Sequence, residues 1–185
     1  MSPSPAFFPG FDPPAAGFEA PLEMLSACHG RVEKQCQTLL RLLPHLAAKG
    51  ADQAARVAAR NVMRYFDTSA QHHHADEEED LFPALLRSAP PADRAQLSEL
   101  IDLLLVEHQE LGGAWARLRV QLEAVAQGDA GALDGAAVGL LVARYREHIV
   151  REEAQLLPFA ARVLNLAQLD KVGQAMRLRR GIKEI

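Results

Sequence analysis

Apolar residues recur every three or four positions along most of this chain, the period of a helix buried on one face. The first stripe starts near Pro21 with Leu22, Leu25, Cys28 and His29, and runs through Val32, Cys36, Leu39, Leu40 and Leu43. Pro44 is expected to bend or end that helix, and Gly50 to close it. A second stretch begins around Asp52 and passes through Val57, Val62, Met63 and Phe66. It continues, with a break near residues 68–71, from His72 to Leu86, where Ser88-Ala89-Pro90-Pro91 stops it. The third helix starts at Pro91 or Asp93 and reaches Gln127, with Leu97, Ile101, Leu104, His108, Leu111, Trp115, Leu118 and Leu122 on one stripe. The fourth spans about 135–162, and a short last helix follows Asn165 up to the basic residues 177–180. Four long amphipathic helices with short connections predict an all-α fold, an antiparallel up-down four-helix bundle at 21–162. Residues 1–20 hold five of the eleven prolines with Phe7, Phe8, Phe11 and Phe18, and read as an extended arm whose aromatics dock on the body. Residues 163–185 read as a short helix and a solvated basic tail.

Composition supports this division. At 185 residues, 49% hydrophobic and 24% charged, the chain has material for a single core. Aromatics are only 5% while Ala and Leu dominate, which favours packed helices over sheet. The formal charge of −4 argues against a nucleic-acid surface. The apolar runs are too short for a membrane span, and the first residues lack a basic segment followed by an apolar core. A soluble cytoplasmic protein with no nucleic-acid or membrane partner is expected. Cys28 and Cys36 are too few for a disulfide framework and, on one helix, too far apart to bridge.

The seven histidines change the picture. His73-His74-Ala75-Asp76-Glu77-Glu78-Glu79-Asp80-Leu81-Phe82-Pro83 and His148-Ile149-Val150-Arg151-Glu152-Glu153-Ala154-Gln155-Leu156-Leu157-Pro158 align without gaps. Each segment follows a helix with a lone His among apolar neighbours, His29 in one half and His108 in the other. Such a layout sets four helices about one axis, the symmetry of a two-metal site in a bundle core. Residues four apart on a helix share a face, so His73/Glu77, His74/Glu78 and His148/Glu152 each pair an imidazole with a carboxylate. That donor mixture suits iron, manganese or zinc. Each piece alone has an ordinary explanation. His29 or His108 reads as a satisfied core histidine, 76–80 as a solvated acidic face, and His72 to His74 as a surface metal tract. Glu107 and Glu110 read as surface charge, and His45 as a surface residue. The conjunction on four helices is what argues for a site.

These residues resemble the hemerythrin family, and within it the bacterial HHE cation-binding branch. The resemblance covers about 21–162. It implies a four-helix bundle holding two iron ions, a non-haem di-iron centre with an oxo or hydroxo bridge. It implies His29 and His74 as terminal ligands of one iron, His108 and His148 of the other, and Glu78 with a helix-4 carboxylate as bridges. The family's spacing of five after the helix-4 His points to Glu153, whereas helix geometry prefers Glu152, five steps leaving an offset of about 140°. The same one-residue choice separates His73/Glu77 from His74/Glu78. Oxygen carriers of the family have a second His on helix 3, four residues from the first; here those positions are Leu104 and Gly112. Glu152, His73, Glu33 or water would have to complete the second iron, which favours redox chemistry or sensing over stable oxygen carriage.

Gly112-Gly113 beside His108 leaves either a small channel or close helix packing. Tyr65, Tyr145 and Trp115 are candidates to orient the imidazoles. The expected function is binding or sensing of dioxygen, nitric oxide or redox state, or iron handling, by a metal-binding protein rather than an enzyme. The alternatives are peroxide turnover at an open di-iron site and a non-catalytic helical interaction module. A signalling role would require a partner protein.

Overall fold

The computed structural model describes residues 17–182. Every regular element among them is helical. The order is α1 (Pro21–Lys49), α2 (Gln53–Asp67), α3 (Ser69–Ala75), a π turn (Asp76–Leu81), α4 (Phe82–Ser88), α5 (Arg94–Gln127), α6 (Gly135–Arg151), a second π turn (Glu152–Leu156), α7 (Leu157–Val163) and α8 (Leu166–Arg179). Four long rods result: α1, the run from α2 to α4, α5, and the run from α6 to α7. They close a ring in which α1 and α5 each pack against α2 and α6. This is the all-α bundle that the apolar stripes predict. No described helix is long and apolar enough to cross a membrane.

Local chemistry sets the boundaries. The Asp52 carboxylate accepts the N–H of Ala55 at the start of α2, and Asp134 accepts that of Ala136 at the start of α6. Asn165 and Gln168 form a reciprocal capping box that starts α8. The expected break falls at Thr68, whose hydroxyl donates to the carbonyl of Arg64 at 2.7 Å and draws the chain off the helical path. Pro44 departs from expectation, because α1 runs through it to Lys49. Its ring lies on the solvent face, where water can take the hydrogen bond that the Leu40 carbonyl loses. Leu42 and Leu46 on the opposite face are buried and hold the helix in line.

Two apolar clusters fill the bundle. One gathers Val32, Leu39, Phe66, Leu111, Leu118 and Leu141; the other gathers Leu25, Leu81, Leu85, Leu104, Leu156 and Met176. A layer of buried polar side chains lies between them: His29, His73, Asp76, Glu77, His108, His148 and Glu152. Charged groups cost several kcal/mol each to bury without partners, so this layer needs an explanation.

The short last helix forms as expected, as α8, but its basic end is not simply solvated. Val172 and Met176 enter the second cluster, and Gly173 lets α8 press so close to the Phe18 backbone that a Cβ there would collide with its carbonyl oxygen. Arg177 and Arg180 lie over the Phe18 ring at 5.5 and 5.9 Å. Arg179 and Arg180 both pair with Asp76, and Arg179 also with Glu79 and Asp80. A basic helix end has here met an acidic run about a hundred residues earlier. Phe18 thus docks as expected, while Phe7, Phe8 and Phe11 lie outside the described residues.

Candidate metal centre

The polar layer is built by repeating one local device. In each half, a helix turn presenting a His and a Glu four residues on passes into a π turn at the Glu. The carbonyl of Glu77 accepts the N–H of Phe82, and that of Glu152 accepts the N–H of Leu157, both five residues ahead. Pro83 and Pro158 follow immediately. A proline has no N–H for the ordinary four-residue bond, and its ring crowds the carbonyl four positions back, so the wider turn relieves both problems. Glu77 and Glu152 end on the bundle axis, fully buried.

The inward atoms fall into two groups around these carboxylates. His29, His73, Glu77 and Glu152 bring donor atoms within 4.8 Å of one another, as do Glu77, His108, His148 and Glu152; His74 joins His108 and His148. Each carboxylate spans both groups. Glu152 Oε2 lies 3.0 Å from His29 Nε2, while Oε1 lies 3.2 Å from His148 Nε2. Glu77 Oε1 lies 3.5 Å from His73 Nε2, while Oε2 lies 3.5 Å from His108 Nε2. Adjacent residues on a helix point about 100° apart. His73 therefore addresses the His29 side and His74 the His108 side, where its ring stacks on His108 at 3.9 Å.

Carboxylates outside the layer hold the imidazoles. His29 Nδ1 donates to Glu153 at 2.6 Å, His108 Nδ1 to Glu78 at 2.6 Å, and His148 Nδ1 to Glu107 at 2.9 Å. Because an ionised carboxylate only accepts, these contacts put the proton on Nδ1 and leave Nε2 a lone pair aimed inward. His108 and His148 face each other Nε2 to Nε2 at 3.2 Å. Arg151 in turn pairs with Glu107.

The electrostatics divide accordingly. Burial, and then the neighbouring Glu152 carboxylate, pushes Glu77 well above the usual carboxylate range. Burial acts the same way on Glu152, but the facing imidazoles of His108, His148 and His29 overcome it and hold that carboxyl well below its ordinary value. Burial, with the other imidazoles, drives His73 down to about 3 and keeps His74 well below its normal value. Burial also works against the charged forms of His29 and His148, yet Glu152 with Glu153, and Glu152 with Glu107, raise both.

Over residues 20–160 the sequence matches the profile of the hemerythrin HHE cation binding domain. The chain belongs to this family. It is also 34% identical over 169 residues to an uncharacterized protein of Haemophilus influenzae, covering 91% of this chain and 95% of that one. A hemerythrin HHE domain binds metal cations, and the layer described here fits such a cargo. Seven of its buried atoms have no hydrogen-bond partner: His29 Nε2, His73 Nδ1, His74 Nε2 and both oxygens of Glu77 and of Glu152. An orphaned buried polar group costs about 1–3 kcal/mol, more when charged, so so many converging orphans point to cations as their partners.

The structure also separates the residues singled out from sequence. His29, His73, His74, Glu77, His108, His148 and Glu152 converge. Glu78 and Glu153 lie on the outer side, each on an imidazole Nδ1. Glu33 is exposed, and His45 pairs with Asp52 away from the layer. Tyr65 donates to the Cys28 carbonyl and Trp115 to Asp67, so neither bonds an imidazole; Tyr145 meets His74 only ring to ring, at 6.4 Å. Sequence reading missed Glu107 as a partner of His148, although Arg151, three residues on from His148, was a usable signal. Asp76 was missed too, since its burial depends on a helix far along the chain.

Proposed function

We propose that this hemerythrin-family chain binds two iron ions in the His/Glu layer and acts in the cytoplasm by binding or sensing dioxygen, nitric oxide or redox state. The observation that carries this reading is the set of orphaned donors, divided into two groups that share Glu77 and Glu152. His29 and His73 would serve one ion, and His74, His108 and His148 the other, with both carboxylates spanning the pair. His74, from the preceding rod, thereby occupies the place for which α5 offers only Leu104 and Gly112. Mixed imidazole and carboxylate ligation suits iron, and two such ions would supply reversible small-ligand binding or electron exchange. The protein side chains do the rest. Glu153, Glu78 and Glu107 fix tautomers and ring directions, while the flanking Leu25, Leu104 and Leu156 keep water out.

The two groups differ, with two imidazoles on one side and three on the other. That asymmetry favours one ion with fewer protein donors, where a small ligand would bind, and it also suits turnover of peroxide. Metal analysis of the purified protein, together with an optical spectrum of its oxidised form, tests the reading. About two irons per chain and near-ultraviolet charge-transfer absorption are expected; stoichiometric zinc, or less than one metal per chain, would refute it. Iron-loaded protein that consumes peroxide catalytically would favour the enzymatic alternative. A ligand-dependent spectral change without consumption would favour binding or sensing.

A further inference from the structure

An open cleft of about 270 Å³ reaches the layer from one side, between the first π turn and α5. Gln71, Glu78, Glu79 and Gly112 line it, with His74 and His108 in its wall. Among the described residues, larger clefts lie over Asp93–Arg162 and over Gly30–Ile149, but neither has one of the converging histidines or glutamates in its lining. The cleft at Gly112 therefore connects solvent with the side chains that would hold cations.

Gly112 has no other evident reason to be glycine. It sits inside the 34-residue α5, where glycine is a poor helix former, and its φ is not positive. A Cβ built there meets nothing within 4 Å, so close packing does not require its absence. A longer side chain would matter, however. Helical side chains lean toward the preceding turn, so one at 112 would lie over His108, four residues earlier, and cross the cleft. The lining is polar and acidic, which suits a hydrated cation. The half-exposed Glu78 carboxylate stands at the mouth and already touches His108 at 2.6 Å.

We propose that this cleft is the route by which hydrated divalent cations enter the layer, and that Gly112 keeps it open. The proposal rests on the cation-binding reading above. Its test is the rate at which metal-stripped, full-length protein takes up cobalt(II), followed by the growth of the cobalt absorption bands. Gly112→Leu is expected to slow uptake tenfold or more with the same final cobalt content, and Gly112→Ala to slow it less. Both variants should melt at or above the parent temperature, since each replaces an exposed helical glycine with a better helix former. Gly139→Leu, at an exposed α6 glycine with open space around it, should load at the parent rate. Parent-rate uptake by Gly112→Leu, or a reduced final content in it, would overturn the access role. Failure of the parent to bind cobalt at all would instead overturn the cation-binding reading.

Discussion

The contact between α8 and the first π turn makes a quantitative prediction. Asp76 is 0% exposed, while the Arg179 and Arg180 side chains are 16% and 17% exposed. Arg180 grips both carboxylate oxygens, at 3.1 and 2.7 Å, and Arg179 adds a third hydrogen bond. The anion is cut off from water, whereas the cations have other outlets. Arg179 also reaches Glu79 and Asp80, and Arg180 donates to the Met176 carbonyl at 2.8 Å. Removing both cations should therefore strand a buried charge and cost about 3–5 kcal/mol. Asp76→Asn in the parent should cost less, about 1.5–3 kcal/mol, because it weakens charged hydrogen bonds without stranding the arginines. The sharpest consequence is a change of sign. In an Arg179→Ala, Arg180→Ala background, Asp76→Asn should stabilise by about 1 kcal/mol or more, since it deletes an unpaired charge. Thermal or urea unfolding followed by far-ultraviolet circular dichroism, with a chelator present to remove cation linkage, measures all four proteins. For a chain of this size about 1 kcal/mol corresponds to roughly 2–4 °C. If Asp76→Asn destabilises both backgrounds, the charge-compensation argument is wrong.

Three further outcomes are expected. At saturating cation, metal content should fall sharply in His74→Ala, His148→Ala and Glu152→Gln and stay unchanged in His45→Ala; equal retention in all four would reject the ligand assignment. Glu153→Gln keeps an acceptor for His29 Nδ1 and should only weaken affinity, by about 10- to 100-fold, as read by competition with a chromophoric chelator. Supplying cation at a hundred times its dissociation constant should stabilise the parent by about 2.7 kcal/mol and His148→Ala far less, so equal melting shifts in the two would argue against coupling between binding and folding.

Much of this protein follows from local rules. The three- and four-residue apolar stripes specify the rods, and Asp52, Asp134, Asn165 and Gly50 mark their ends, because backbone capping needs only nearby side chains. The repeated His–Glu segments likewise announce a shared polar centre, since residues four apart must share a helical face. Which neighbours in each acidic run face that centre was only partly readable, because helix geometry favours Glu152 over Glu153 but treats His73/Glu77 and His74/Glu78 alike. Rotating a rod by one residue swings a side chain by about 100°, so packing against the other rods and the π turns ahead of Pro83 and Pro158 decide that Glu77 and Glu152 point inward and Glu78 and Glu153 outward. Contacts distant in sequence were equally hidden. That His73 and His74 serve opposite halves, that Glu107 supports His148, and that Arg179 and Arg180 compensate Asp76 all depend on where separate rods meet. Periodicity carries no information about such meetings, because it describes a helix's own faces and not the partner laid against them.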